Sequence, residues 1–171
     1  MFLILHSSGA VIFGFNYICM NTMGEPIIQD SFGINDIEKY QNMLSLAVNS
    51  WIAGKAMGTI ISGAMVKKFG LKNVLLMNES INLLSIGLIF LSWWVSSIYI
   101  FFISRIFNGL HAGGIGTCGS RLPIECWPKK QRGIAGCVYS IFLAISGFYA
   151  SSVVTWFSKP FRHGYWVPIM L

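Results

Sequence analysis

Apolar residues run almost unbroken from Met1 to about Met20, and again over about 44–66, 73–96, 98–121 and 134–156. Each run approaches or passes the roughly 20 residues that a helix needs to cross a hydrocarbon core about 30 Å thick. The pattern therefore predicts five complete spanning helices joined by polar segments. A sixth run begins at Trp166 and reaches only Leu171, a stretch that would rise about 9 Å as a helix. The sequence is thus expected to stop inside a helix, as a truncated product, an incomplete gene model or a decayed copy would.

Composition agrees with this reading. Hydrophobic residues make up 54% of the 171 and charged residues 11%, against about 45–50% and about 25% in soluble domains. That balance excludes a soluble globule, a disordered chain and a nucleic-acid binder, and predicts an all-α polytopic membrane protein whose first partner is the lipid bilayer. The first run has neither a cationic leader nor a small-residue cleavage site, so it reads as a span and not a signal peptide. Trp93, Trp94, Trp127, Trp156 and Trp166 fall near proposed span ends, where aromatic rings collect at membrane interfaces.

Orientation follows from the breaks, because cytoplasmic loops are enriched in Lys and Arg. Lys67, Lys68 and Lys72 follow the second run; Lys129, Lys130 and Arg132, with Glu125, follow the fourth. Both breaks belong inside. The segment 21–43 holds Glu25, Asp30, Asp36 and Glu38 against Lys39 and belongs outside, as does the turn near Ser97. The N-terminus is then cytoplasmic. Lys159 and Arg162 oppose this rule, since they would be external.

Small residues at four-residue spacing lie on one helical face and permit close backbone approach. Ser50, Gly54, Gly58 and Ser62 form one such face in the second run. Gly109 with Gly113, and Ala112 with Gly116 and Ser120, form others in the fourth. They serve tight packing, or smooth surfaces on which helices slide and rock. Lys55, Glu79 and Arg105 fall within proposed spans, where such groups face a bundle interior or a partner. Helical rise puts Lys55 and Glu79 about 7 Å apart along the membrane normal, within reach of a lysine side chain, so an ion pair is expected. Cys19, Cys118, Cys126 and Cys137 lack metal-ligand spacing and read as small packing residues. His6, His111 and His163 are isolated. With no nucleotide loop, metal cluster or paired nucleophile and base, the sequence predicts neither an enzyme nor a cofactor. The sequon Asn78-Glu79-Ser80 lies within a span and is expected to be unmodified.

The inside break 121–133 is the sharpest motif. Pro128 disfavours a helical residue before it, Gly133 permits a change of direction, and Glu125 and Arg132 are spaced to pair across the turn. Together with Arg105-Ile-Phe-Asn-Gly109-Leu-His-Ala-Gly113, the string Glu125, Pro128, Arg132-Gly133 resembles the RxxxGxxxG and ExxPxxxRG motifs of the major facilitator superfamily, sugar porters in particular. Lys68, Gly70 and Lys72 resemble that family's short basic loop, with Lys67 in place of an acid or Asn and Leu71 in place of a basic residue. Phe13-Gly14-Phe15-Asn16 followed by Asn21 resembles a pattern of animal facilitative hexose transporters, with Ile18 and Met23 departing from it. Lys55 stands where the family has a second glycine.

The resemblance covers nearly the whole chain and implies an incomplete N-terminal six-helix bundle of a twelve-helix carrier. Such carriers bind substrate between two halves near the midplane. It implies facilitative hexose or carbohydrate transport by alternating access at the plasma membrane, a small sugar-like substrate, and a missing C-terminal half or complementary chain as partner. Asn16, Asn21 and Ser140 would contact substrate; Ser140 replaces a Gln whose amide offers both donor and acceptor. Lys68, Lys72, Arg105, Glu125 and Arg132 would hold contacts that break and reform during the cycle. Two other functions fit the same residues: an organic-ion carrier of the same superfamily, and a non-transporting membrane protein that associates with full-length carriers. The fragment is expected to be inactive alone.

Overall fold

The computed structural model describes residues 37–126 and 128–158. The first and sixth predicted runs, and with them Asn16 and Asn21, lie outside the described residues. Within them the chain forms four long helices: α1 Ile37–Phe69, α2 Leu71–Val95, α3 Ile98–Cys126 and α4 Arg132–Ser158, with a 3-10 turn at Lys129–Gln131 before α4. Stretches in three of these, Leu71–Val95, Ile98–Gly119 and Arg132–Tyr149, are long and apolar enough to cross a membrane. α1 is longer still but more polar, carrying Asn49, Ser50 and Lys55.

The helices overrun the apolar runs. α1 starts at Ile37 and takes in Glu38, Lys39 and Gln41, which polarity alone assigns to a loop. α3 continues to Cys126 and takes in Arg121 and Glu125. A helix satisfies its own backbone groups in lipid and in water alike, so a change in polarity marks the edge of the membrane and not the end of the helix.

Two turns are correspondingly tight. The basic break between α1 and α2 shrinks to a single non-helical residue, Gly70, whose φ of 79° suits glycine. Its N–H donates to the Val66 carbonyl at 3.0 Å, and its own carbonyl accepts from Val74 N–H at 3.3 Å. Between α2 and α3, Ser96 turns left-handed at φ 53°. Ser96 N–H donates to Trp93 C=O at 3.3 Å, and Ser97 N–H to Ser92 C=O at 3.2 Å, so the turn serves carbonyls that the end of α2 would leave unpaired.

α3 is the central element and packs along both α1 and α2. Matched positions rise together between α1 and α3, from Trp51 with Asn108 to Gly58 with Leu110, so these helices run parallel. Matched positions run oppositely between α2 and α3, from Asn78 with His111 to Ser85 with Ser104, so this pair is antiparallel. The α1–α2 and α3–α4 turns therefore lie at the same end of the bundle, and the predicted basic breaks face one side.

Candidate functional site

The small-residue faces meet each other. A Cβ placed on Gly58 would strike the Leu110 carbonyl, with Leu110 C and Cα at 2.8 Å; one on Gly113 would strike the Lys55 carbonyl, with Thr59 N at 2.6 Å. Gly54 and Gly109 approach across the same seam. Apolar burial drives little association between helices already in lipid, so the contact rests on close van der Waals packing and interhelical hydrogen bonds. One such bond sits beside it: Trp51 Nε1–H donates to Asn108 Oδ1 at 3.0 Å. Backbone interdigitation with a buried hydrogen bond sets the register of α1 and α3, as the tight-packing reading of the small-residue faces expects. Gly116 lies on an exposed face of α3 and takes no part in this seam.

Two cations flank the seam on aromatic faces. Arg105 is 1% exposed, and its guanidinium carbon lies 4.9 Å from the Phe101 ring centroid. Lys55 Nζ lies 5.3 Å from the Trp51 ring centroid. The ring of Trp51 thus faces the Lys55 ammonium while its N–H holds Asn108. A cation–π contact contributes about 0.5–2 kcal/mol, more as the pair is desolvated, and offsets part of the cost of placing these charges within a span.

The expected Lys55–Glu79 ion pair is not formed. Register places the two at one level, since Lys55 packs beside Gly109 and Gly113 while Glu79 follows Asn78, the partner of His111. They lie on opposite sides of α3.

His111 is not isolated, contrary to its reading in the sequence. It is buried between α2 and α3: Asn78 Nδ2–H donates to the His111 carbonyl at 3.0 Å, and His111 Nδ1–H donates to the Asn78 carbonyl at 3.1 Å. Asn78 belongs to a buried stripe of α2 comprising Val74, Asn78, Asn82, Ser85, Ile89 and Ser92. Ser85 Oγ–H donates to Ser104 C=O at 3.1 Å. Sequence reasoning noticed Asn78 only as part of a sequon. The spacing of four, four, three, four and three along the stripe is the signal that was available.

The remaining predicted site residues lie apart from this cluster. Lys68, Gly70 and Lys72 form the α1–α2 turn, with Lys68 Nζ 5.4 Å from the Phe69 ring centroid. Pro128 (φ −55°, ψ 144°) opens the turn into the 3-10 segment, which makes the change of direction, and Gly133 already lies in the first turn of α4. Glu125 is exposed in the last turn of α3, and Arg132 opens α4. Ser140 is exposed and spends its hydroxyl on the Gly136 carbonyl at 3.3 Å. Cys118 is buried as a packing residue, whereas Cys137 is exposed. Among the described residues, no three His, Cys, Asp or Glu side chains converge.

The model of the family described as "Sugar (and other) transporter" matches residues 2–171. The chain belongs to that family. It is 27% identical over 141 residues to the mouse (Mus musculus) solute carrier family 2, facilitated glucose transporter member 5, covering 78% of this chain and 28% of that protein. To the human (Homo sapiens) member 5 it is 30% identical over 101 residues, covering 59% and 20%. The fold is that of a D-xylose-proton symporter, matched in its crystal structure at a TM-score of 0.85 and 15% identity over 99% of this chain and 44% of that one. An inward-open xylose transporter from E. coli gives 0.84 at 14% identity, over 99% and 43%. The chain is a multi-pass membrane protein of the major facilitator superfamily, corresponds to the N-terminal part of a sugar porter, and spans less than half the length of these relatives.

Proposed function

We propose that this chain forms the N-terminal bundle of a facilitative carrier for hexoses or related sugars, working by alternating access in the plasma membrane with its N-terminus in the cytoplasm. The observation that carries the proposal is the family match along residues 2–171, joined to a fold likeness that takes in nearly the whole chain. The packing suits one half of such a machine. α1 and α3 are locked in register by backbone contact, and α2 is tied to α3 by Asn78, Ser85 and His111. A unit of this kind rocks as a body, while the substrate site forms between it and a second bundle. Asn16, Asn21 and Ser140 are the proposed sugar contacts of this half; the exposed position of Ser140 leaves it open to a partner bundle.

The 171 residues alone are expected not to transport, because one bundle cannot enclose a substrate or close a gate on both sides. The test is reconstitution into liposomes with labelled glucose, fructose and xylose, first of the chain alone and then of the chain joined to a matching second bundle. Saturable sugar uptake should be seen only in the joined form. Saturable uptake by the chain alone would overturn its dependence on a second half. No uptake of any sugar by a folded joined carrier would overturn the assignment to sugars.

A further inference from the structure

Two basic turns far apart in the sequence lie at one end of the bundle. Lys67, Lys68 and Lys72 flank Gly70, while Arg121, Lys129 and Lys130 flank the bend at Pro128; all six side chains are exposed. The seam between α1 and α3 sets their relative height. A Cβ on Gly113 would lie 2.6 Å from Thr59 N. In parallel helices Arg121 and Lys67, each eight residues further on, therefore stand at one level, about 12 Å beyond that contact. Among the described residues, Glu125 is the exposed carboxylate at this end. The opposite turn, at Ser96 and Ser97, is uncharged.

Loop charge sets orientation during insertion, but depth decides what these cations meet afterwards. The apolar stretch of α2 starts at Leu71, that of α3 ends at Gly119 and that of α4 starts at Arg132. Lys72, Arg121, Lys129 and Lys130 thus lie within about 6 Å of the end of an apolar stretch, and the one-residue turn at Gly70 keeps Lys67 and Lys68 beside them. Connections this short hold the charges at the depth of phospholipid headgroups, whereas a long loop would carry them out into water. Exposed apolar side chains adjoin them: Phe69 next to Lys68, Leu76 one turn into α2 from Lys72, and Ile134 in the first turn of α4. Lys68 Nζ already rests 5.4 Å from the Phe69 ring centroid. Such a border suits a molecule with an anionic head and an apolar tail; a free phosphate or an acidic peptide would satisfy the cations alone. We infer that this end of the bundle binds anionic phospholipid, its cations drawing the headgroups while Leu76 and Ile134 lie against the acyl chains. In the proposed orientation it meets the cytoplasmic leaflet, whose lipids carry a negative surface charge. The inference does not depend on which solute the carrier moves.

The test is electron spin resonance of the chain in phosphatidylcholine bilayers that carry a trace of spin-labelled lipid, which separates lipid held at the protein surface from free lipid. At low salt, labelled phosphatidylserine should be held about fivefold more strongly than labelled phosphatidylcholine, the preference that one contact between a headgroup and a cation confers. That preference should shrink in about 1 M salt, where the screening length falls to about 3 Å. It should also shrink when Lys67→Gln is combined with Lys68→Gln, or Lys129→Gln with Lys130→Gln, while Lys39→Gln at the far end of α1 leaves it unchanged. The salt series needs no variant and decides the matter even if one fails to fold. Equal retention of the two lipids, or a preference indifferent to salt or to both double variants, would overturn the inference. So would a preference that excess inorganic phosphate removes at constant ionic strength, because the cations would then serve a soluble anion.

Discussion

Gly58→Ala is expected to separate α1 from α3. The added methyl would overlap the Leu110 carbonyl and sit 2.8 Å from Leu110 C and Cα, where ordinary contact begins at 3.4 Å. Relief requires the helices to part by roughly 1 Å, a gap that forfeits about a quarter to a half of each dispersion contact along the seam. Overpacking of this kind costs about 1–3 kcal/mol. The Trp51–Asn108 hydrogen bond lies two turns away and is worth about 0.5–1.5 kcal/mol where it is strained or lost. Against this, Ala is the better helix former by about 0.8–1 kcal/mol, leaving a net loss of about 1–3 kcal/mol. Gly63→Ala on the same helix is the internal control, since its methyl would meet nothing within 4 Å and should gain the propensity term, about 1 kcal/mol at most. Thermal unfolding of the detergent-solubilised chain, followed by fluorescence-detected size exclusion, should place Gly58→Ala well below Gly63→Ala. Equal stability of the two variants would show that the Leu110 carbonyl yields at no cost, and the account of α1 and α3 as a backbone-to-backbone contact would fail.

Topology can be read with a membrane-impermeant thiol reagent: an engineered Cys at Asp36 should be labelled in intact cells and one at Lys129 should not, and labelling at Lys129 would reverse the orientation. Glu125→Gln and Arg132→Leu should each reduce transport by the completed carrier at unchanged surface amount; normal uptake in both would reduce the motif to shared loop composition. Lys55→Met should raise the inserted fraction of α1 in a translocon assay, since a mid-span lysine costs about 2.5–3.5 kcal/mol and the Trp51 ring returns only about 0.5–2 kcal/mol; unchanged insertion would show that Lys55 reaches water.

Hydropathy made the helices legible because a backbone in lipid must satisfy itself, and a helix does so within one segment. Their ends were not legible for the same reason: Ile37 to Met43 and Arg121 to Cys126 stay helical after the apolar run stops. Spacing identified Gly54, Gly58, Gly109 and Gly113 as small faces but could not say that these two faces meet. The Lys55–Glu79 pairing rested on depth alone, and depth carries no information about the helix between them. Asn78, Asn82, Ser85 and Ser92 repeat with helical period, yet their polarity is diluted by the apolar neighbours that any span carries on its other faces. His111 looked solitary because its partner is 33 positions away in sequence.

The one-residue junction at Gly70 has a mechanical consequence. A single residue spans less than about 4 Å, so the end of α1 and the start of α2 cannot separate or slip past one another without unwinding a turn. A push along the axis of α1 is delivered to α2 with almost no slack, as through a rigid elbow. Since α3 grips both helices along their length, all three helices should shift as one lever arm, and compliance between bundle parts must come from the longer connection through Pro128 and the 3-10 turn.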